Sequence, residues 1–232
     1  MACIALLAAP GTASAQNERD KKDKPAPAAP SVVVVDRGKF RILSGGQQVG
    51  TEEFSTTQNG AEWLSKSTVE IKAAGAGSSK VTTELRLSPD GKPLGYVWSG
   101  QGEKKVTGTI TFKEGSADME LKTEGEQPFT QEFLLDSPRV VILDNNCYHH
   151  YGLLARLFDW NAKGVQTFTV LSPQDMATGK VTVEWAGPTD LDGVKTELLR
   201  VRSSDLEVEL YVSNGRLIRL VVPGANAEIR RE

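Results

Sequence analysis

A chain of 232 residues is long enough for one large β domain or two small ones, so a core can form without covalent staples. Its 27 Lys and Arg against 30 Asp and Glu leave a formal net charge of −3 with no long basic run, which argues against nucleic acid as a partner. No stretch of about 20 apolar residues occurs, so a membrane-spanning helix is excluded and a soluble or at most peripheral protein is expected.

From the N-terminus, the first predicted element is a targeting segment over residues 1–15. Cys3 to Ala9 form a short apolar core, Pro10-Gly11 breaks it, and Ala13-Ser14-Ala15 supplies the small-x-small pattern of a secretory signal peptide. No Lys or Arg precedes the apolar core, so a start further upstream and a plain Ala-rich tail remain the alternatives. Removal of the segment leaves Cys147 as the only thiol, which excludes an internal disulfide. Residues 16–30, ending in NERDKKDKPAPAAP, join charge to alternating Pro and Ala and read as a flexible tether. Its lysines can touch acidic headgroups, a peripheral envelope contact, although a solvated linker is the simpler reading.

The folded part is expected over 31–232, opening on Val32-Val33-Val34-Val35. Short alternating or β-branched segments follow, separated by Gly, Asn, Asp and Pro. Strands are predicted over 39–43, 48–56, 62–73, 80–88, 94–99, 106–112, 117–123, 130–135 and 140–143. Asn59-Gly60 and Asp90-Gly91 favour tight turns between them. The second half returns with strands over 166–171, 179–186, 194–202, 206–212, 216–222 and 227–230. Phe40-Arg41-Ile42-Leu43-Ser44 recurs as Phe168-Thr169-Val170-Leu171-Ser172, and Glu84-Leu85-Arg86-Leu87 as Glu209-Leu210-Tyr211-Val212. Matches in the same order at nearly the same spacing point to a duplicated β-meander, with units over about 38–100 and 166–225.

Between the units, 144–159 breaks the β pattern. Tyr148, Tyr151, Leu153, Leu154, Leu157 and Phe158 fall largely at spacings of three and four. Asp144, Asn145 or Asn146 can cap the start and Gly164 follows the end, so one short helix is predicted here as a plug or lid. The fold class that results is all-β: an antiparallel spiral β-roll or half-barrel of two duplicated meander units with one short α-helix between them.

Reactive side chains are densest at the start of that helix. Both histidines of the chain, His149 and His150, stand beside Cys147. Neighbouring histidines point about 100° apart on a helix, so no metal site is assigned, and a Cys–His nucleophile lacks an orienting third group. No nucleophile elbow, phosphate loop, dinucleotide fingerprint or Ca²⁺ loop is present, so neither catalytic residues nor a cofactor are assigned. Glu52-Glu53 are expected to be solvated. Trp63, Trp98, Trp160 and Trp185 either fill the core or line a pocket, core filling being the default.

With the Phe-x-[Ile/Val]-Leu-Ser openings, Val49-Gly50-Thr51-Glu52-Glu53 and Pro89-Asp90-Gly91-Lys92-Pro93-Leu94 in view, the chain resembles exported bacterial proteins of the DUF3108-like kind. That resemblance covers about residues 38–225 and implies the spiral β-roll superfamily, which includes proteins named for glycolipid binding. It carries no catalytic signature.

The expected function is that of a periplasmic or secreted, non-enzymatic binding protein for an apolar or amphipathic ligand, a lipid or glycolipid. The candidate ligand-binding residues are Tyr148, His149, Tyr151, Trp98, Trp160 and Trp185. The alternatives are a hydrolase or metal-dependent enzyme using Cys147, His149 and His150, and an envelope-assembly factor acting through its sheet edges.

Overall fold

Alternation of apolar and polar residues with a period of two, broken by residues that tolerate positive φ, makes consecutive hairpins of almost the whole chain. In the computed structural model, residues 32–72, 77–102 and 104–232 are described; the targeting segment and tether expected at 1–30 lie outside them. Nine strands come first: β1 Val32–Ser44, β2 Gln47–Asn59, β3 Glu62–Lys72, β4 Ser78–Leu87, β5 Pro93–Gln101, β6 Lys105–Lys113, β7 Ser116–Thr123, β8 Phe129–Leu134 and β9 Val140–Ile142. Helix α1, His149–Leu157, leads into β10 Gln166–Ser172, β11 Ala177–Leu191, β12 Val194–Arg202, β13 Glu207–Ser213, β14 Arg216–Val222 and β15 Ala227–Arg231. A 3-10 turn, Pro173–Asp175, separates β10 from β11.

All the described strands belong to a single open sheet of order β8-β7-β6-β5-β4-β3-β2-β1-β15-β14-β13-β12-β11-β10-β9. Its halves are matched: β1–β5 and β10–β14 are both antiparallel meanders run in the same strand order. Phe40 and Phe168 open them with buried rings, Leu85 and Leu210 face inward from the fourth strands, and Tyr96 and Leu220 from the fifth. Asn214-Gly215 and Asp192-Gly193 turn with φ of 50° and 70°, and of 52° and 83°, the paired positive values that match hairpin twist.

Two features depart from the expected strands. β11 runs on past Ala186, because Gly187, at φ 112°, takes up a register shift that lets Pro188 continue the strand. β9 pairs with β10 in parallel, against the antiparallel expectation. Parallel neighbours need a crossover connection, and α1 supplies it. The crossover unit is buried on both faces, which accounts for the apolar run Val140-Val141-Ile142-Leu143 and the buried run Phe168 to Leu171, in which Thr169 is the one polar residue.

The two end strands of the sheet, β8 and β9, are neighbours in sequence, joined by residues 135–139. A link that short spans at most about 20 Å, so the sheet has to curl until its ends approach. Inside the curl the β9–α1–β10 unit divides the core in two. Leu154, Val141 and Val170 join Phe40, Phe54, Leu210 and Leu220 on one side, whereas Leu153, Ile142 and Leu171 join Leu85, Tyr96, Trp98 and Met119 on the other. The helix thus fills the space between the meanders, a plug and not a lid.

The helix is shorter than the expected 144–159, and its start is held differently. Tyr148 occupies the N-cap position without a side-chain cap. The His149 N–H donates to Glu52 Oε2 of β2 at 3.0 Å, a cap delivered from a strand 97 residues away in the chain. Glu52, expected to be solvated, is 0% exposed.

Candidate functional site

Two places in the fold gather chemistry: a buried polar cluster at the helix start, and an open end of the curled sheet. In the cluster, Glu52 Oε1 lies 2.6 Å from His149 Nδ1 while Oε2 takes the helix N–H, so both carboxylate oxygens are engaged. His149 stacks on Phe54, with ring centroids 5.7 Å apart, and lies 4.3 Å from the His150 ring. His150 Nδ1 accepts the Asp144 backbone N–H at 3.4 Å. The Asp144 carboxylate in turn accepts from the Tyr96 hydroxyl at 2.7 Å and from the Gln174 backbone N–H at 2.9 Å. Through these bonds β2, β5, α1 and the 173–175 turn are tied to one another.

Burial governs the protonation of this cluster. It pushes the Cys147 thiol well above its ordinary value, with the nearby Glu52 and Asp144 charges adding to the effect. It pushes His150 well below its ordinary value, helped by His149, and raises Asp144 and Tyr96. A buried, protonated thiol is a poor nucleophile. Among the described residues no group of three or more His, Cys, Asp or Glu is placed to hold a metal ion.

Of the residues predicted to bind ligand, His149 is consumed by Glu52. Tyr148 and Tyr151 are half-buried against the same core cluster, where burial pushes both phenols up to about 12. The Trp160 indole donates to the Ala155 carbonyl at 3.1 Å, and the Trp185 indole to Glu197 at 2.6 Å with Lys163 Nζ 4.0 Å above its ring. These residues pack around the first core cluster, whereas Trp98 belongs to the second and stacks on Tyr96 at 5.9 Å. The structure therefore does not bring the six together.

Trp98 forms the floor of an open end. Inward positions of adjacent strands, Val81 on β4, Gly100 on β5, Val106 on β6 and Leu121 on β7, meet Pro173, Gln174 and Met176 around a cleft of ≈ 340 Å³. Glycines create this space. The Trp98 ring lies flat across Gly108 where a Cβ would otherwise sit, and a Cβ added at Gly100 would meet nothing within 4 Å. Met176, 45% exposed, turns back at φ 51° to roof the cleft. Among the polar groups at the rim, Lys104 is paired with Glu126 at 2.5 Å, next to the amides of Gln101 and Gln174. A second cleft of ≈ 390 Å³, by Phe112 and Leu135, is rimmed by Lys92 and Lys113, which are paired with Asp90 and Asp118. A larger recess of ≈ 660 Å³ crosses the outer face of β1–β5, but the Lys39–Glu53 and Lys66–Glu84 ion pairs line it, a surface unsuited to an apolar ligand.

No family model matches the chain, and no curated protein matches it. A solved structure does: the β-barrel-like protein of domain of unknown function DUF1849 from Brucella abortus, at 9% identity and a TM-score of 0.57, covering 88% of this chain and 95% of that one. The likeness is one of fold. That neighbour's family is a different one from DUF3108. Of the six residues singled out from the sequence, Trp98 alone lies at this mouth, and the other residues around it were not among them. The available signal was the glycine pair Gly100 and Gly108, both at inward positions where a closed core would carry side chains.

Proposed function

We propose that this protein is a non-enzymatic binding protein for amphipathic small molecules, exported to the periplasm or beyond, and that the Trp98 cleft takes the apolar part of its ligand. The observation that carries this reading is the end cleft itself: apolar walls, an aromatic floor, and hollow space where β5 carries Gly100. Its ≈ 340 Å³ sits at the lower end of the ~300–1,000 Å³ usual for small-molecule sites, so the polar head of an amphiphile stays outside, beside the amides of Gln101 and Gln174. Mouths of curled sheets are places where such sites recur. The export reading rests on the small-x-small pattern at Ala13-Ser14-Ala15. The enzymatic alternative has no comparable support, since Cys147 is buried and protonated.

The test is a titration with dodecyl maltoside below its micelle concentration, followed by tryptophan emission. The wild-type protein is expected to show a saturable blue shift, and Gly100→Leu, which fills the cleft from a position with free room, to lose it while keeping its thermal transition. Equal binding by both proteins would remove the cleft from the account.

A further inference from the structure

Strand β8 ends the sheet, and among the described residues only β7 pairs with it. An unpaired strand edge invites another strand, and proteins usually guard against this with Lys, Pro, a bulge or a very short strand. β8 is lightly guarded: Phe129–Leu134 contains no Lys or Pro and a single charge, Glu132, Pro128 stands just before it, and its register with β7 runs unshifted. It also presents two large apolar side chains to solvent, Phe129 at 47% and Leu134 at 79% exposure.

The sequence of this edge indicates what covers it. Pro128-Phe129-Thr130-Gln131-Glu132-Phe133-Leu134 is symmetric in polarity about Gln131, apolar at 128–129 and 133–134 and polar at 130–132. Two copies paired antiparallel about a two-fold axis normal to the sheet keep inward residues opposite inward residues. In the register that sets Gln131 against its own copy, Phe129 meets Phe133, Thr130 meets Glu132 and Pro128 meets Leu134. Apolar groups then face apolar groups, and the strand's one charged residue faces a hydroxyl instead of a like charge.

We infer that β8 is a homodimerisation edge, along which two copies of this chain join their sheets into one continuous sheet. The contact is small for a stable complex, so the dimer is a weak, concentration-dependent one. The Trp98 cleft borders the junction without forming part of it, since its wall Leu121 of β7 is the cross-strand partner of Phe129.

Sedimentation velocity of the full chain from about 1 µM to about 500 µM reads the equilibrium directly. A monomer–dimer transition is expected. Thr130→Glu, which sets carboxylates opposite each other twice by symmetry, is expected to weaken it about tenfold, and Thr130→Lys, which sets an amine opposite Glu132, to tighten it. Because the two substitutions act in opposite directions, loss of folding cannot mimic the pattern. Gln131→Cys in a Cys3→Ser background is expected to give a disulfide-linked dimer on mild oxidation, Cys147 being buried. A monomer at every concentration, a dimer indifferent to both Thr130 variants, or no cross-link at position 131 would overturn the inference.

Discussion

His150 shows most clearly how one residue is set by its surroundings. Its ring is buried between Tyr96, which meets it edge-on at 5.6 Å, and His149, and its Nδ1 is used as an acceptor. Burial and the neighbouring imidazole hold its pKa well below the ordinary 6.5. In the unfolded chain the ring takes a proton near 6.5, whereas in the folded protein it refuses one until much lower pH. This contribution to stability is therefore complete above about 6.5 and is lost as pH falls below that value. Thermal unfolding should show a midpoint that drops between pH 7 and pH 5, and His150→Gln, which keeps an acceptor without a titrating ring, should flatten that slope. An unchanged slope in the variant would assign the pH dependence to other groups. Asp144 works in the opposite direction: with its pKa raised from 3.8 by burial, its carboxyl favours the fold at low pH and loses that contribution as pH rises through the folded-state value.

At the scale of elements, the bond that matters most is the one from β2 to α1. A helix of nine residues is too short to be stable alone, and its first turn carries no local cap. Glu52 supplies one from across the core, at 0% exposure. Glu52→Ala leaves the His149 backbone N–H and Nδ1 without their partner in a buried site, and the expected cost is about 3–5 kcal/mol, measured by chemical denaturation. A cost below about 1 kcal/mol would mean that the helix is held by apolar packing alone. This contact was not legible in the sequence, because Glu52-Glu53 on an alternating strand looks the same whether the inward carboxylate meets water or a helix end. Hairpins were legible, since Asn-Gly, Asp-Gly and period-two alternation are local signals. The parallel β9–β10 pair was not, because a run such as Val140-Val141-Ile142 has no period to show which strand it joins. The helix itself was visible from its apolar spacing, but its boundary was not, since Asp144 is spent on Tyr96 and Gln174 instead of capping.

For the whole molecule, the two matched meanders and the crossover between them have a joint consequence. Two matched units could enclose a shared hollow, but β9 and α1 occupy that space, and the core divides around them. Room for a ligand is left at the ends of the curl, and at one end the inward Gly100 keeps it open while Gly108 seats the Trp98 ring as its floor. The tryptophans, read from the sequence as filling the core by default or else lining a pocket, are thus split, with Trp98 at the mouth and Trp160 and Trp185 against the opposite cluster. Diffraction from crystals grown with an alkyl amphiphile carrying bromine at its chain end would locate the ligand without assumption. The account predicts an anomalous bromine peak between Trp98 and Met176. A peak beneath the helix, on the outer face of β1–β5, or in the Phe112 cleft with the Trp98 mouth left empty, would contradict it.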